Sequence, residues 1–206
     1  MHRSPCTISA PARFDRLRAL LWALPVAIVC TALLPGAARA DTVTGCNEAT
    51  SQIFAPWGDD DQYRLAPGGD FEGSAEGWTL SRRASIEPGT SPLGGSSVLD
   101  LPAGASALSA PICIDDNTPH ARMFVQSTGN LIRTGRVLVE AVSPNGLSVP
   151  VGIVRGEDGW NLSNRFAAPA WWVLRDGIVS FQYKLTSVGI NDSSVDSLYV
   201  DPRSRW

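Results

Sequence analysis

The chain has 206 residues, with 17 Lys and Arg against 20 Asp and Glu and a formal charge of −3 at pH 7. Without its first forty residues, which read as a separate segment, 166 remain with 12 basic and 19 acidic side chains, a balance of −7 that argues against nucleic acid as a partner. Gly and Pro fill 29 of those 166 positions, above the roughly 12% usual in globular proteins, while plentiful Leu, Val, Ile and aromatics exclude a disordered or collagen-like chain.

The first eighteen residues carry Arg3, Arg13, Arg16 and Arg18 against one acid, Asp15, and an uncharged apolar stretch runs from 19 to 34. That order is a secretory n-region and h-region. As a helix, sixteen residues reach about 24 Å, short of the roughly 30 Å hydrocarbon core, and Pro25 interrupts them. Ala38-Arg39-Ala40 supplies the small residues needed before a cleavage site, so the expectation is a signal peptide over 1–40, a mature chain starting at Asp41, secretion, and no transmembrane segment after cleavage. Cys30 follows Val29 rather than a small residue, which argues against a lipid anchor.

Only Cys46 and Cys113 remain in the mature chain, an even pair in an oxidising compartment, and they are read as one disulfide. A redox or metal pair would need a Cys-x-x-Cys or several His, and neither is present. Residues 41–64, with the acidic run Asp59-Asp60-Asp61, are less regular and are expected to form an N-terminal extension strapped across the following domain.

From Phe71 onward the chain alternates apolar and polar residues in short runs bounded by Gly, Pro, Asn or Asp, which is the pattern of half-buried strands. Trp78, Leu80, Ala84 and Ile86 share one face of the first run, and Leu108, Ala110, Ile112 and Ile114 one face of the second. Further runs cover 121–126, 137–142, 147–153 (apolar at 147, 149, 151 and 153), 178–185 and 195–200. No stretch keeps a helical period for three turns. Seven to nine short strands can bury their apolar faces only against a second sheet or in a barrel. The expected fold is therefore all-β, a two-sheet antiparallel β-sandwich of jelly-roll type over 65–202, followed by a short tail at 203–206. An immunoglobulin-like sandwich is the alternative, without the Cys, Trp, Cys spacing of that family.

Gly68-Gly69-Asp70-Phe71-Glu72 followed by Gly77-Trp78 resembles the opening of carbohydrate-binding-module-like jelly rolls of the galactose-binding-like superfamily, and 195–202 resembles their last strand. With Leu101-Pro102-Ala103-Gly104, Ser109-Ala110-Pro111-Ile112-Cys113, Phe54, Trp57, Tyr63 and Arg122-Met123-Phe124-Val125, the mature chain resembles a group of small secreted actinobacterial proteins without an assigned activity. The family pattern ends in Trp-x-Ile-Asp-Asp, where this chain has Ser193 for the Trp and Ser197 for the second Asp. In the resembled fold the first and last strands run side by side, which would bring Asp70 and Glu72 to Asp196 as carboxylate ligands of a structural calcium ion.

Catalytic sets are sparse. His120 is the single His after the signal, no Gly-x-Ser-x-Gly elbow is present, and zinc catalysis fails on the same count. His120, after Pro119 at the start of a strand, reads as a solvated or capping residue. Acidic residues are numerous, but no two share a strand-face spacing that marks a glycosidase pair. Sugar rings stack on exposed aromatic faces beside carboxylates and amides, which singles out Trp160 with Asp158 and Asn161. If 170–174 is extended, Trp171 and Trp172 point to opposite faces and one is exposed. These readings point to a non-catalytic secreted module binding glycan or a cell-envelope polymer. A structural or adhesive envelope protein and a glycosidase or lyase stay open as alternatives.

Overall fold

The computed structural model describes residues 49–113, 120–127, 134–169, 171–172 and 180–200, all within the unit Ala40–Trp206. The signal segment, the cleavage site, Cys46 and the tail lie outside the described residues. Among the described residues thirteen strands are formed: β1 (Arg64–Leu65), β2 (Thr79–Ser81), β3 (Ser85–Pro88), β4 (Ser97–Leu101), β5 (Ser106–Leu108), β6 (Ile112–Cys113), β7 (His120–Ser127), β8 (Gly135–Val142), β9 (Ser148–Asp158), β10 (Asn161–Leu162), β11 (Phe166–Ala167), β12 (Ser180–Ser187) and β13 (Ser193–Val200). Two 3-10 turns, Ala55–Trp57 and Glu72–Ser74, precede the long strands. No described helix is long and apolar enough to cross a membrane.

The strands form two antiparallel layers, as the alternation implies. One layer runs β3-β4-β13-β7, with β1 also on β13 and with β10 and β11 on β7. The other runs β2-β5-β12-β8-β9, with β6 added to β12. The layers join at one corner, where Gln126 and Ser127 of β7 pair in parallel with Glu157 and Asp158 of β9. Gly156 permits that approach: a Cβ there would lie 2.7 Å from the carbonyl carbon of Gln126. The architecture is an antiparallel β-sandwich of jelly-roll type.

Alternation fixes which side chains fill the space between the layers. β12 buries Phe181, Tyr183 and Leu185, β8 buries Val137, Val139 and Ala141, and β7 contributes Ala121, Met123 and Val125. Each buried Leu or Phe is worth roughly 1.5–3 kcal/mol of transfer free energy. A second, smaller core joins Phe54, Tyr63 and Phe124, with ring centroids 4.9 Å apart for Phe54–Tyr63 and 5.8 Å for Phe54–Phe124. The irregular segment before β1 therefore packs onto the outer face of β7.

Three expectations about strand faces need correction. The run from Trp78 to Ile86 is not one strand: Arg82 adopts φ 63, a left-handed turn conformation, and splits it into β2 in one layer and β3 in the other. Asp70 and Glu72 do not open a strand either, because Phe71 has φ 55 and Glu72 begins a 3-10 turn. In β9 the apolar alternation at 147, 149, 151 and 153 is broken by a bulge, where Gly152 opposes Val139 but Pro150 opposes Glu140. The extra residue shifts the pleat, so Val149 and Val151 pack on the core, Val154 is buried, and Ile153 is 60% exposed. Gly152 is needed at this point because a Cβ would stand 2.7 Å from the Cβ of Phe166.

Candidate functional site

Two groups of polar side chains stand out. The first lies where the segment before β1 meets β7. Asp59, 2% exposed, accepts hydrogen bonds from Tyr63 Oη (2.7 Å), Arg122 Nη1 (2.6 Å) and Arg165 Nη2 (2.7 Å). Arg165 also reaches Asp61 at 2.8 Å, and Arg122 donates through Nε and Nη2 to the Ser163 carbonyl. Tyr63 Oη and His120 Nε2 lie 2.9 Å apart. Since the Tyr63 proton goes to Asp59, the imidazole donates to Tyr63 Oη from a protonated Nε2. Burial by itself raises the Asp59 carboxyl, but the bonds from Tyr63, Arg122 and Arg165 outweigh it and hold the group well below the usual carboxylate range. Burial, with Arg165 adding repulsion, pushes His120 down to about 4.

This cluster contains a Tyr, a His, two Arg and two Asp, yet it is closed upon itself. Tyr63 is fully buried, burial and the Asp59 carboxylate raise its hydroxyl far above the ordinary range, and both guanidinium groups are paired. The arrangement can pin the segment around Asp59 to β7.

The second group is the outer face of the five-stranded layer. Side chains alternating with the core point here: Thr79 and Ser81 from β2, Ser106 and Leu108 from β5, Gln182, Lys184 and Thr186 from β12, Leu138 and Glu140 from β8, and Ile153 and Arg155 from β9. Register aligns Ser81, Ser106, Thr186, Leu138 and Ile153 in one row across all five strands. Lys184 Nζ meets Glu140 Oε2 at 3.0 Å in the next row. Arg82, Gly104, Ser106, Lys184, Thr186 and Val188 line an open groove of about 380 Å³ at one end of this face. Thr186 Oγ1 is buried without a hydrogen-bond partner in the structure. Among the described residues of this face there is no Trp, Tyr or Phe.

The residues singled out in the sequence fall elsewhere. Trp160 is half-buried against the small core of Phe54, Tyr63 and Phe124. Asn161 closes a turn, its Oδ1 accepting from Glu157 N and its Nδ2 donating to the Arg155 carbonyl, and Asp158 sits at the β7–β9 corner. Trp171 and Trp172 are helical rather than extended; Trp172 is 3% exposed within the main core and Trp171 is 45% exposed, edge-on to it at 6.1 Å. The structure does not gather these five residues into one surface.

The three acidic residues expected around calcium are also divided. Glu72 accepts from Ser96 N, Ser96 Oγ and Ser97 N at 2.7, 2.7 and 2.9 Å and so anchors the start of β4. Asp70 Oδ1 faces Glu72 N at 3.4 Å. Asp196, 2% exposed, lies at a bulge of β13 where Ser197 has φ 57. Its Oδ2 accepts from Ser197 Oγ at 2.9 Å, and its Oδ1 is buried without a partner in the structure. Burial pushes this carboxyl up to about 6; Ser91 and Ser197 oppose the rise and the Asp70 charge adds to it. No set of three or more His, Cys, Asp or Glu able to hold a metal occurs among the described residues. Asp196 thus has an oxygen suited to a cation, whereas Glu72 is committed to backbone N–H groups.

No protein-family model and no curated protein matches the chain. Among solved structures, the chain is similar to a family 16 carbohydrate-binding module (19% identity, 66% of this chain and 99% of that chain, TM-score 0.47). It is similar also to the family 22 xylan-binding domain of a Paenibacillus barcinonensis protein (13%, 69% and 95%, TM-score 0.46) and to the C-terminal family 6 module of a marine laminarinase from Zobellia galactanivorans (14%, 68% and 98%, TM-score 0.47). Likeness at this level carries no ligand across to this chain.

Proposed function

We propose that the protein is a non-catalytic module that binds an extended carbohydrate across the outer face of its five-stranded layer. The observation that carries this reading is the open groove lined by Ser106, Lys184, Thr186 and Arg82 and continued by the aliphatic pair Leu138 and Ile153. A sugar chain presents hydroxyl groups that need fixed donors and acceptors and C–H faces that pack on aliphatic side chains, and the groove's Ser, Thr, Lys and Arg beside Leu138 and Ile153 supply both. The buried, self-paired Asp59 cluster supports a binding role rather than a reaction. Affinity electrophoresis through gels containing soluble polysaccharides tests the reading. Retardation by at least one polysaccharide, lost in Lys184→Ala and Thr186→Ala, is expected; retardation that survives both changes and disappears in Trp171→Ala would move the site to the exposed Trp.

We also infer export with cleavage after Ala40 and pairing of Cys46 with Cys113. Supporting the second is that Cys113 is buried at the end of β6. N-terminal sequencing of protein recovered from culture medium checks the first, with Asp41 expected. Calcium is proposed at Asp196 with Asp70, the orphaned Oδ1 supporting it, while Glu72 joins only if it leaves Ser96 and Ser97. When bound, the ion would neutralise the buried carboxylate and tie the β13 bulge to the turn at Asp70.

A further inference from the structure

Two local costs coincide at one edge of the binding face, and both position guanidinium groups. Arg136 and Arg155 are directly opposite in the β8–β9 register and project to the same outer face, an arrangement that is destabilising for like charges. Neither has a carboxylate partner among the described residues. Arg82 has φ 63, a left-handed conformation that suits Gly or Asn and is strained for an Arg. Its Nη1 lies beside Gly104, within ordinary contact distance (3.6 Å) of where a Cβ would stand.

Arg136 and Arg155 share one row, and Arg82 stands in the turn just beyond β2. Val188 N bonds to the Arg136 carbonyl, Gly104 N bonds to the Ser187 carbonyl, and Arg82 follows Ser81, the partner of Ser106. Arg155, Arg136 and Val188 thus lie side by side, and Arg82, in the turn after β2, reaches the same edge of the face with Nη1 beside Gly104. Lys184 stands further in, already paired to Glu140, and Glu157 follows two residues after Arg155, at the corner with β7. Asp192, nearby, accepts from Ala103 N. A cationic edge in a chain whose segment after residue 40 has a balance of −7 is a departure from its overall charge.

We propose that this edge recognises an acidic polysaccharide, one oxyanion of the chain bridging Arg136 and Arg155 and another meeting Arg82. The inference rests on the carbohydrate-binding reading above and narrows its ligand. A carboxylate or sulfate between two guanidinium groups converts their repulsion into charge-assisted, bidentate hydrogen bonds. That is a reason for the fold to hold them unpaired.

The test uses affinity electrophoresis with polygalacturonate, dextran sulfate, neutral dextran and xylan, at low and high salt, on the wild type and on Arg136→Gln, Arg155→Gln and Arg82→Gly, with melting temperatures for each protein. Expected are retardation by polygalacturonate or dextran sulfate that weakens with salt, and a drop of about tenfold in affinity in each variant. Which of the two retards the protein assigns carboxylate or sulfate. The melting temperature should rise in Arg82→Gly, because the left-handed strain is relieved, and should not fall in the Gln variants. A residue with a structural role would instead show a lower melting temperature. Equal retardation by xylan or dextran, unchanged in the Arg variants, would overturn the acidic ligand and leave carbohydrate binding standing. Retardation by none of the four would overturn both. Acidic-polymer binding unaffected by the Arg variants, or abolished by duplex DNA as competitor, would reduce it to non-specific polyanion adsorption and overturn the inference.

Discussion

Replacing Asp196 by Asn probes the most unusual buried charge in the sandwich. Burial pushes this carboxyl from the usual 3.8 to about 6, so the folded state favours the protonated form. The stability this provides is complete below pH 4 and is lost as pH rises through about 6. At 1.36 kcal/mol per pH unit the full difference corresponds to roughly 3 kcal/mol. The Asp196→Asn variant keeps an oxygen for Ser91 and Ser197 but places an amide where Oδ1 has no partner, a cost of about 1 kcal/mol. The net expectation in chelator at about pH 7.5 is a stabilisation of about 2 kcal/mol, or about 4–8 °C in melting temperature. The stability that the wild type loses between pH 4 and pH 6 through this carboxyl should have no counterpart in the Asp196→Asn variant, and the difference between the two proteins isolates it from other groups. Millimolar calcium should raise the melting temperature of the wild type only, by mass action on the folded state. Calorimetry across pH with chelator and with calcium reads all of these. A variant that melts below the wild type in chelator at about pH 7.5, with an unchanged pH profile, would refute the description of Asp196 as a buried, incompletely paired carboxylate.

Asp59→Asn removes the one charge that Arg122 and Arg165 share, and the loss of a buried pair should cost about 3–5 kcal/mol, read as a melting temperature roughly 10 °C lower. Because the Asp59 carboxyl is held far below its ordinary value, its contribution is present above about pH 4 and disappears as pH falls. His120 has the same sign in a different window: pushed down from 6.5 to about 4 amid Tyr63, Asp59, Asp61, Arg122 and Arg165, it makes the protein lose stability as pH falls from 6.5 towards 4. NMR titration of its ring protons should show a midpoint near the lower value, and a midpoint near 6.5 would contradict the burial argument. Thiol labelling of the denatured, unreduced mature protein should find neither Cys46 nor Cys113 free, and reduction should lower the melting temperature by several degrees.

Much of the fold could be read from the alternation in 121–126, 137–142, 178–185 and 195–200, because a strand buried on one face carries its pattern in its own residues. What could not be read are the places where backbone geometry overrides the pattern. Arg82 in a left-handed turn divides the first run without a Gly or Pro to mark it. The bulge in β9 that turns Ile153 outward is flanked by Pro150 and Gly152, which signal an irregularity but not the direction of the shift. The Asp59, Arg122 and Arg165 network that holds the segment before β1 on β7 joins residues 63 and 106 positions apart, which no local signal reveals. Aromatic residues drew attention to Trp160 and Trp172, which pack in cores. Arg136 falls on the polar side of its run, but by alternation Arg155 shares the side of 149, 151 and 153, and only the β9 bulge and the register bring the two opposite each other on the outer face.

The central claim is that the outer face of the five-stranded layer, and not the exposed aromatic surface, meets the ligand. NMR shift mapping with a saturating oligogalacturonate or sulfated oligosaccharide tests it most directly. The account predicts perturbations at Arg82, Ser106, Leu138, Ile153, Lys184 and Thr186, with Trp57, Trp160 and Trp171 unmoved; perturbations confined to those three Trp, with the β8, β9 and β12 signals unchanged, would contradict it.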